Sequence, residues 1–506
     1  MIRTTIHSRR TLRRVSIHFL YEKYFKIGAG AVVAVLLMNA LSLLEYGVYN
    51  LFWGSAIYLS FAASFGLMPG YNKLVPDLLY KKDYSSLLWI TKWVSFFRAF
   101  SIIAWVLAGS LIFETYPLFP KIGEDSFYFL LFGASAFFVL QNHIFNRIIK
   151  IAYLHKYLIN VEAITITIKA LLIGAVLVYG FGLYEVLIID ILCNASVFLL
   201  TFFFYLKNIS NSLPGTGIIN RYSKKNLIKQ IFDASRYRGL NEAMAAITSF
   251  ASDFLIVGYF LGPIELAYYA FAVKVSEFIP QLLPFGKIKN TIVPTILSNV
   301  VRTDNTNEIN TLFQILTKLN AFYVLPIITA FVILGKEVTT HLIDPKFLAA
   351  YDVTIILLFC VLISSLPFAF PLQLLEKSKS IITAKLLMLL NLAISIFLVQ
   401  KLGINGVAIA ALISICLKKA FELFLSKRYA GVSLPRIGLF QILTNCIAIG
   451  VIALLVKPYI SGLFTLGLSW ILITVAYMIF SKFNNAFNRD ESELLKGTTF
   501  STTYIL

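Results

Sequence analysis

The chain has 506 residues, 58% of them hydrophobic and only 14% charged, with a formal net charge of +19. Soluble domains hold roughly 45–50% apolar and about 25% charged residues, so this composition excludes a water-soluble fold. It predicts an all-α polytopic membrane protein of about 14 transmembrane helices, each run approaching the ~20 residues that cross a hydrocarbon core.

A basic segment, residues 1–26, precedes the first apolar run. No small-residue cleavage pattern closes that run, so it is read as a retained signal anchor rather than a removed signal peptide. Spans are predicted near 27–44, 48–69, 87–113, 127–147, 157–182, 186–206, 239–261, 266–285, 311–335, 352–373, 380–400, 404–426, 437–456 and 462–481. If the N-terminus is cytoplasmic, successive connections alternate sides, and the 44 Lys and Arg residues test that order. Lys121, Lys336, Lys346, Lys401 and Lys457 fall on one side, and Arg98, Lys169 and Lys274 fall inside spans. All the others gather on the opposite side, which the positive-inside rule makes cytoplasmic, with both termini there. The charge is thus a topology signal, and no nucleic-acid partner is expected.

The longest cytoplasmic connection opens with Asn211, Pro214, Gly215 and Gly217 and continues from Ser223 to Phe232. Leu227, Ile228, Ile231 and Phe232 share one helical face with Lys224, Lys225 and Lys229 elsewhere, as in an interfacial amphipathic helix; a basic solvated loop is the alternative. Pro280, Pro284, Pro326 and Pro367 lie in or beside spans, where they permit either bends that move or fixed kinks.

Glu45-Tyr-Gly-Val-Tyr-Asn-Leu-Phe52 opens span two, and Glu265-Leu-Ala-Tyr-Tyr-Ala-Phe-Ala272 opens span eight. Six spans separate them, so they read as parallel repeats about an axis normal to the membrane, with chance likeness in an aromatic-rich sequence as the competing explanation. The repeat divides the chain into an N-lobe (27–206), a cytoplasmic linker (207–238), a C-lobe (239–426), a terminal pair of spans (437–481) and a cytoplasmic tail (482–506). Substrate would bind between two six-helix lobes.

Ser64-Phe-Gly-Leu-Met-Pro-Gly-Tyr-Asn-Lys73, the stretch from Asp253-Phe-Leu-Ile-Val-Gly258 through Gly262-Pro-Ile-Glu265 to Tyr269, and Leu402-Gly-Ile-Asn-Gly-Val-Ala-Ile-Ala-Ala411 together resemble the Wzx-type polysaccharide flippases. The likeness extends over most of the chain. It implies membership of the superfamily that also holds multidrug and toxic-compound exporters and lipid II flippases, with two lobes around a central cavity. It further implies a transporter, not an enzyme, that flips undecaprenyl-pyrophosphate-linked oligosaccharide by alternating access, alongside other polysaccharide-assembly proteins in a bacterial or archaeal plasma membrane. No cofactor is called for.

A cation at the bilayer centre costs about 2.5–3.5 kcal/mol on insertion scales, so intramembrane charges are candidates for a site. Lys169, Arg98 and Lys274 are the expected cavity cations for a pyrophosphate, with Arg98 able to grip two phosphate oxygens; for Arg98, snorkelling to the cytoplasmic surface is the other reading. Glu277 stands three residues from Lys274 and either pairs with it or exchanges a proton. Glu242 and Asp253, eleven apart on span seven, share a predicted face for ion coupling or a salt bridge. Asp190 is a further possible coupling carboxylate. Gln141, Asn142, Asn146 and Arg147 end span four and either meet substrate at the cytoplasmic mouth or anchor the interface. The nearest rival is a cation-coupled drug exporter, which the lack of a carboxylate on span one disfavours. A membrane-embedded polymerase or ligase is a second rival, disfavoured because the five histidines are dispersed and no catalytic or metal motif is present.

Overall fold

The computed structural model describes residues 9–64, 66–81, 83–115, 125–151, 155–207, 223–282, 306–375, 377–484, 487 and 491. The predicted turn formers between 208 and 222, Pro284 and most of the predicted tail lie outside them. Among the described residues every regular element is helical, and the chain divides into two compact units, Met1–Ala267 and Tyr268–Leu506.

The N-terminal unit opens with α1 (Arg9–Ala40), whose apolar part is Tyr24–Ala40, packed along α6 (His155–Tyr179). Helix α2 (Leu43–Ser64) begins at a capping box. The Ser42 N–H donates to Glu45 Oε2 at 2.9 Å and the Glu45 N–H donates to Ser42 Oγ at 3.3 Å, satisfying two donors that a helix start leaves open. Gly182 and Glu185 repeat this at the start of α7 (Leu183–Tyr205), with the Gly182 N–H donating to Glu185 Oε2 at 2.9 Å. Glu265 sits at the same position behind Gly262. The glutamates of the two predicted repeat motifs therefore occupy one local role, a carboxylate near a helix N-terminus.

Predicted span two stops early. Gly66 has φ 70°, a left-handed conformation that ends α2, and α3 (Leu67–Tyr80) leaves at 67° to it. Helix α3 packs on α8 (Lys224–Ile247), and a Cβ on Gly70 would collide with the Ile231 carbonyl, so glycine alone allows this approach. The Gly70 N–H also donates to Ser235 Oγ at 3.1 Å. The segment expected as an interfacial helix or a loop is thus helical. It buries Leu227 and Ile231 in this seam, while Phe232 stays exposed off the predicted face. Predicted span seven, 239–261, is two pieces: α8 ends at Ile247, and Ser249 caps α9 (Phe250–Leu261) by accepting the Ala251 N–H at 3.3 Å. Twelve residues of α9 rise about 18 Å, short of a bilayer. Helices α4 (Tyr84–Thr115), α5 (Asp125–Ile151), α6 and α7 complete the unit.

In the C-terminal unit, α10 (Pro263–Leu282) contributes the part from Tyr268 onward, and α11 (Thr306–Val338) leads through a π turn and a 3-10 turn to α12 (Tyr351–Ser365). Helices α13 (Ser378–Leu386), α14 (Leu390–Ala430), α15 (Arg436–Val456) and α16 (Leu463–Asn484) follow. Helices α15 and α16 pack on α11 around Phe322, Ile449, Ile473 and Tyr477, and the Tyr477 hydroxyl donates to the Phe322 carbonyl at 2.8 Å. Helix α14 is broken at Gly403, φ 59°, ψ −141°. A Cβ on Gly406 would meet the Leu398 carbonyl, although residues eight apart on a straight helix lie about 12 Å apart. The chain therefore folds back on itself at Gly403.

Nine helical segments among the described residues are long and apolar enough to cross a membrane, or ten if α2 and α3 form one bent span. The figure of fourteen also takes in predicted spans one, seven and eight, and it divides the segment Lys379–Ala430 in two.

Candidate functional site

Helices α2, α3, α4, α5 and α8 line an open cavity of about 630 Å³ within the N-terminal unit. Trp53, Ile57 and Phe61 lie along one face of α2 and give it an apolar wall. Its polar lining is Ser60, Ser64, Asn72, Arg98, His143, Arg147 and Glu242. His143 and Arg147 stand one turn apart on α5, both exposed to the space.

Arg98 is the buried member, 2% exposed. Its Nη2 donates to Ser60 Oγ at 3.2 Å, while Nε and Nη1 have no hydrogen-bond partner. A guanidinium buried at this depth without an ion-paired carboxylate carries an electrostatic demand that is only partly met. Such burial excludes the snorkelling reading. Glu242 lines the same cavity from α8 but stands outside ion-pairing distance of Arg98, and its side chain is exposed to the space. The Asn72 Oδ1 is buried without a partner as well.

Of the three expected cavity cations, only Arg98 lines this space. Lys169 turns from α6 toward α7, where its Nζ lies 2.5 Å from Asp190 Oδ1. Asp190 is fully buried and also accepts from the Tyr49 hydroxyl at 2.9 Å, so these two charges join α6, α7 and α2. Lys274 belongs to α10 in the C-terminal unit, half-exposed and 3.8 Å from Glu277 Oε2. Glu242 and Asp253 no longer share a face, because the break at Thr248 and Ser249 places them on different helices; Asp253 is buried in the first turn of α9.

The polar end of span four also divides. Gln141 ties α5 to α4, its Oε1 accepting from Ser95 Oγ and its Nε2 donating to the Ser95 carbonyl, both at 3.1 Å. Asn142 is buried, and Asn146 donates to Glu162 Oε1 at 3.1 Å, a carboxylate that also pairs with Lys26. Of the four predicted mouth residues, Arg147 alone lines the cavity. Sequence reasoning passed over His143, Ser60 and Asn72, whose one available signal was placement on helix faces shared with Arg147, Trp53 and Met68. It also missed Lys318, which holds Glu491 at 2.8 Å, both buried, and no sequence signal links those two.

No protein-family model matches this sequence, and no curated protein sequence does either. Solved structures do match. An inward-closed lipid II flippase, MurJ, aligns over 95% of this chain and 99% of its own, with a TM-score of 0.63 at 16% identity. An inward-facing multidrug resistance MATE family transporter of the MOP superfamily aligns over 81% of this chain and 94% of its own, with a TM-score of 0.60 at 13% identity. The chain has the fold of these multi-pass membrane proteins, both of which are transporters or flippases rather than enzymes.

Proposed function

We propose that this chain is a transporter that flips an oligosaccharide linked to undecaprenyl pyrophosphate from the cytoplasmic to the outer leaflet by alternating access. It serves cell-surface polysaccharide assembly in a bacterial or archaeal plasma membrane, with fourteen spans and both termini cytoplasmic. The fold it shares with a lipid II flippase supports this reading, as does the resemblance of its glycine motifs to the Wzx-type family.

The observation that carries the reading is Arg98: a guanidinium in the wall of a cavity of about 630 Å³, whose buried Nε and Nη1 have no hydrogen-bond partner. A diphosphate brings negative charge into a low-dielectric space, and a charge-assisted fork of N–H donors lowers that cost where water cannot. Arg147 and His143 add donors on the same wall. The test is transport of a fluorescent lipid-pyrophosphate sugar in proteoliposomes. Losing a hydrogen bond to a charged group costs about 1.5–3 kcal/mol, so Arg98→Ala is expected to slow transport roughly 10- to 100-fold at unchanged abundance, with Arg98→Lys between. Wild-type rates in Arg98→Ala would overturn the reading.

One observation favours the drug-exporter alternative, namely the exposed Glu242 carboxylate in the same cavity. Under that reading, Glu242→Gln abolishes export of a cationic dye and Arg98→Ala does not.

A further inference from the structure

Glu242 is out of place in a cavity built for an anion. It is the carboxylate on a lining whose other charged members are Arg98 and Arg147. It does not neutralise Arg98 as a salt bridge, since the two stand outside ion-pairing distance and both Nε and Nη1 of Arg98 remain unpartnered. Both side chains line the same cavity. The two groups also differ in freedom. Arg98 is 2% exposed and tied to Ser60, whereas the Glu242 side chain is exposed to the space. Helix α8 cannot easily carry Glu242 away, because the Gly70 seam locks α8 to α3. Any adjustment between the two charges therefore falls on the Glu242 side chain.

We propose that Glu242 is a displaceable counter-ion: it balances the Arg98 charge across the cavity and rotates away when a diphosphate approaches Arg98. This inference rests on the flippase reading and adds a regulatory role to the same site. A carboxylate facing the bound anion across the cavity weakens resting affinity for it and favours its release after translocation, because the two negative charges repel. It also rejects weaker anions, which cannot outcompete a carboxylate held at high local concentration.

The experiment measures binding of inorganic pyrophosphate and of farnesyl pyrophosphate to the purified full-length protein by isothermal titration calorimetry. Removing one unit charge several ångströms from the ligand is expected to tighten binding about tenfold in Glu242→Gln, with Glu242→Asp near wild type. Arg98→Gln is expected to bind neither probe. Affinity in Glu242→Gln that is unchanged or weaker, while Arg98→Gln loses binding, overturns the counter-ion role and leaves the anion site standing. Wild-type affinity in Arg98→Gln overturns the anion site itself, and absence of binding in both the wild type and Glu242→Gln overturns both.

Discussion

Asp190 has no exposure, so protein groups alone must meet its charge, and they do so twice, through Lys169 Nζ at 2.5 Å and the Tyr49 hydroxyl at 2.9 Å. Removing one member of a buried pair leaves the other charged and unpaired, which typically costs about 3–5 kcal/mol, whereas replacing both with apolar groups is often close to neutral. Lys169 keeps 19% exposure, which places its loss at the lower end of that range. Lys169→Met is therefore expected to destabilise the protein by about 3 kcal/mol, and Lys169→Met/Asp190→Leu to recover most of that, as read by thermal unfolding in detergent. A Lys169→Met variant that keeps full stability and loses transport would return Lys169 to the substrate path. The sequence exposes both residues as costly intramembrane charges. It does not pair them, because a contact between two helices leaves no mark in the period of either. Arg98 was readable for the same reason, an ionisable group inside an apolar span, and its place on a cavity wall depends on five helices that no local pattern assembles.

Hydropathy found most of the helices but not their breaks. An apolar run through Gly66 or through Thr248 and Ser249 averages the same whether the backbone continues or turns, so α3 and the α8–α9 division were hidden. Ser249 followed by Asp253 is a helix-start signal that averaging passes over. The Leu402–Ala411 motif was visible as a resemblance, and the backbone supplies its cause. Gly403 occupies a conformation with φ 59° and ψ −141° that is essentially closed to other residues, and Gly406 lies where the two arms of α14 touch. Gly403→Ala is expected to cost about 1–3 kcal/mol from backbone strain. Gly406→Ala is expected to cost at least as much, because its methyl would meet the Leu398 backbone rather than a movable side chain. Gly174 on α6 has open space around its Cβ position, and Gly174→Ala is expected to be neutral or to gain up to about 1 kcal/mol in helix propensity. Thermal unfolding of the three variants side by side checks the order; equal stability in all of them would remove the turn at Gly403 as a structural requirement.

For the molecule as a whole, that turn decides the topology. The segment Lys379–Ala430 is 52 residues long, which as one straight helix would run about 78 Å, more than twice a ~30 Å hydrocarbon core. Folded at Gly403, it becomes two spans whose outer ends share one side. The basic residues agree: Lys377, Lys379, Lys385, Lys427 and Arg428 lie near those ends, while Lys401 is next to the turn. Cysteine labelling of intact cells tests this directly. Cys193, Cys360 and Cys446 are buried, so Cys416→Ser removes the one partly accessible native thiol among the described residues. In that background, Lys401→Cys is expected to react with a membrane-impermeant maleimide added outside, and Lys379→Cys and Arg428→Cys only after the membrane is opened. If Lys401→Cys and Arg428→Cys label from the same side, the segment crosses the bilayer an even number of times between them. The fourteen-span topology then fails, and with it the cytoplasmic placement of the C-terminus.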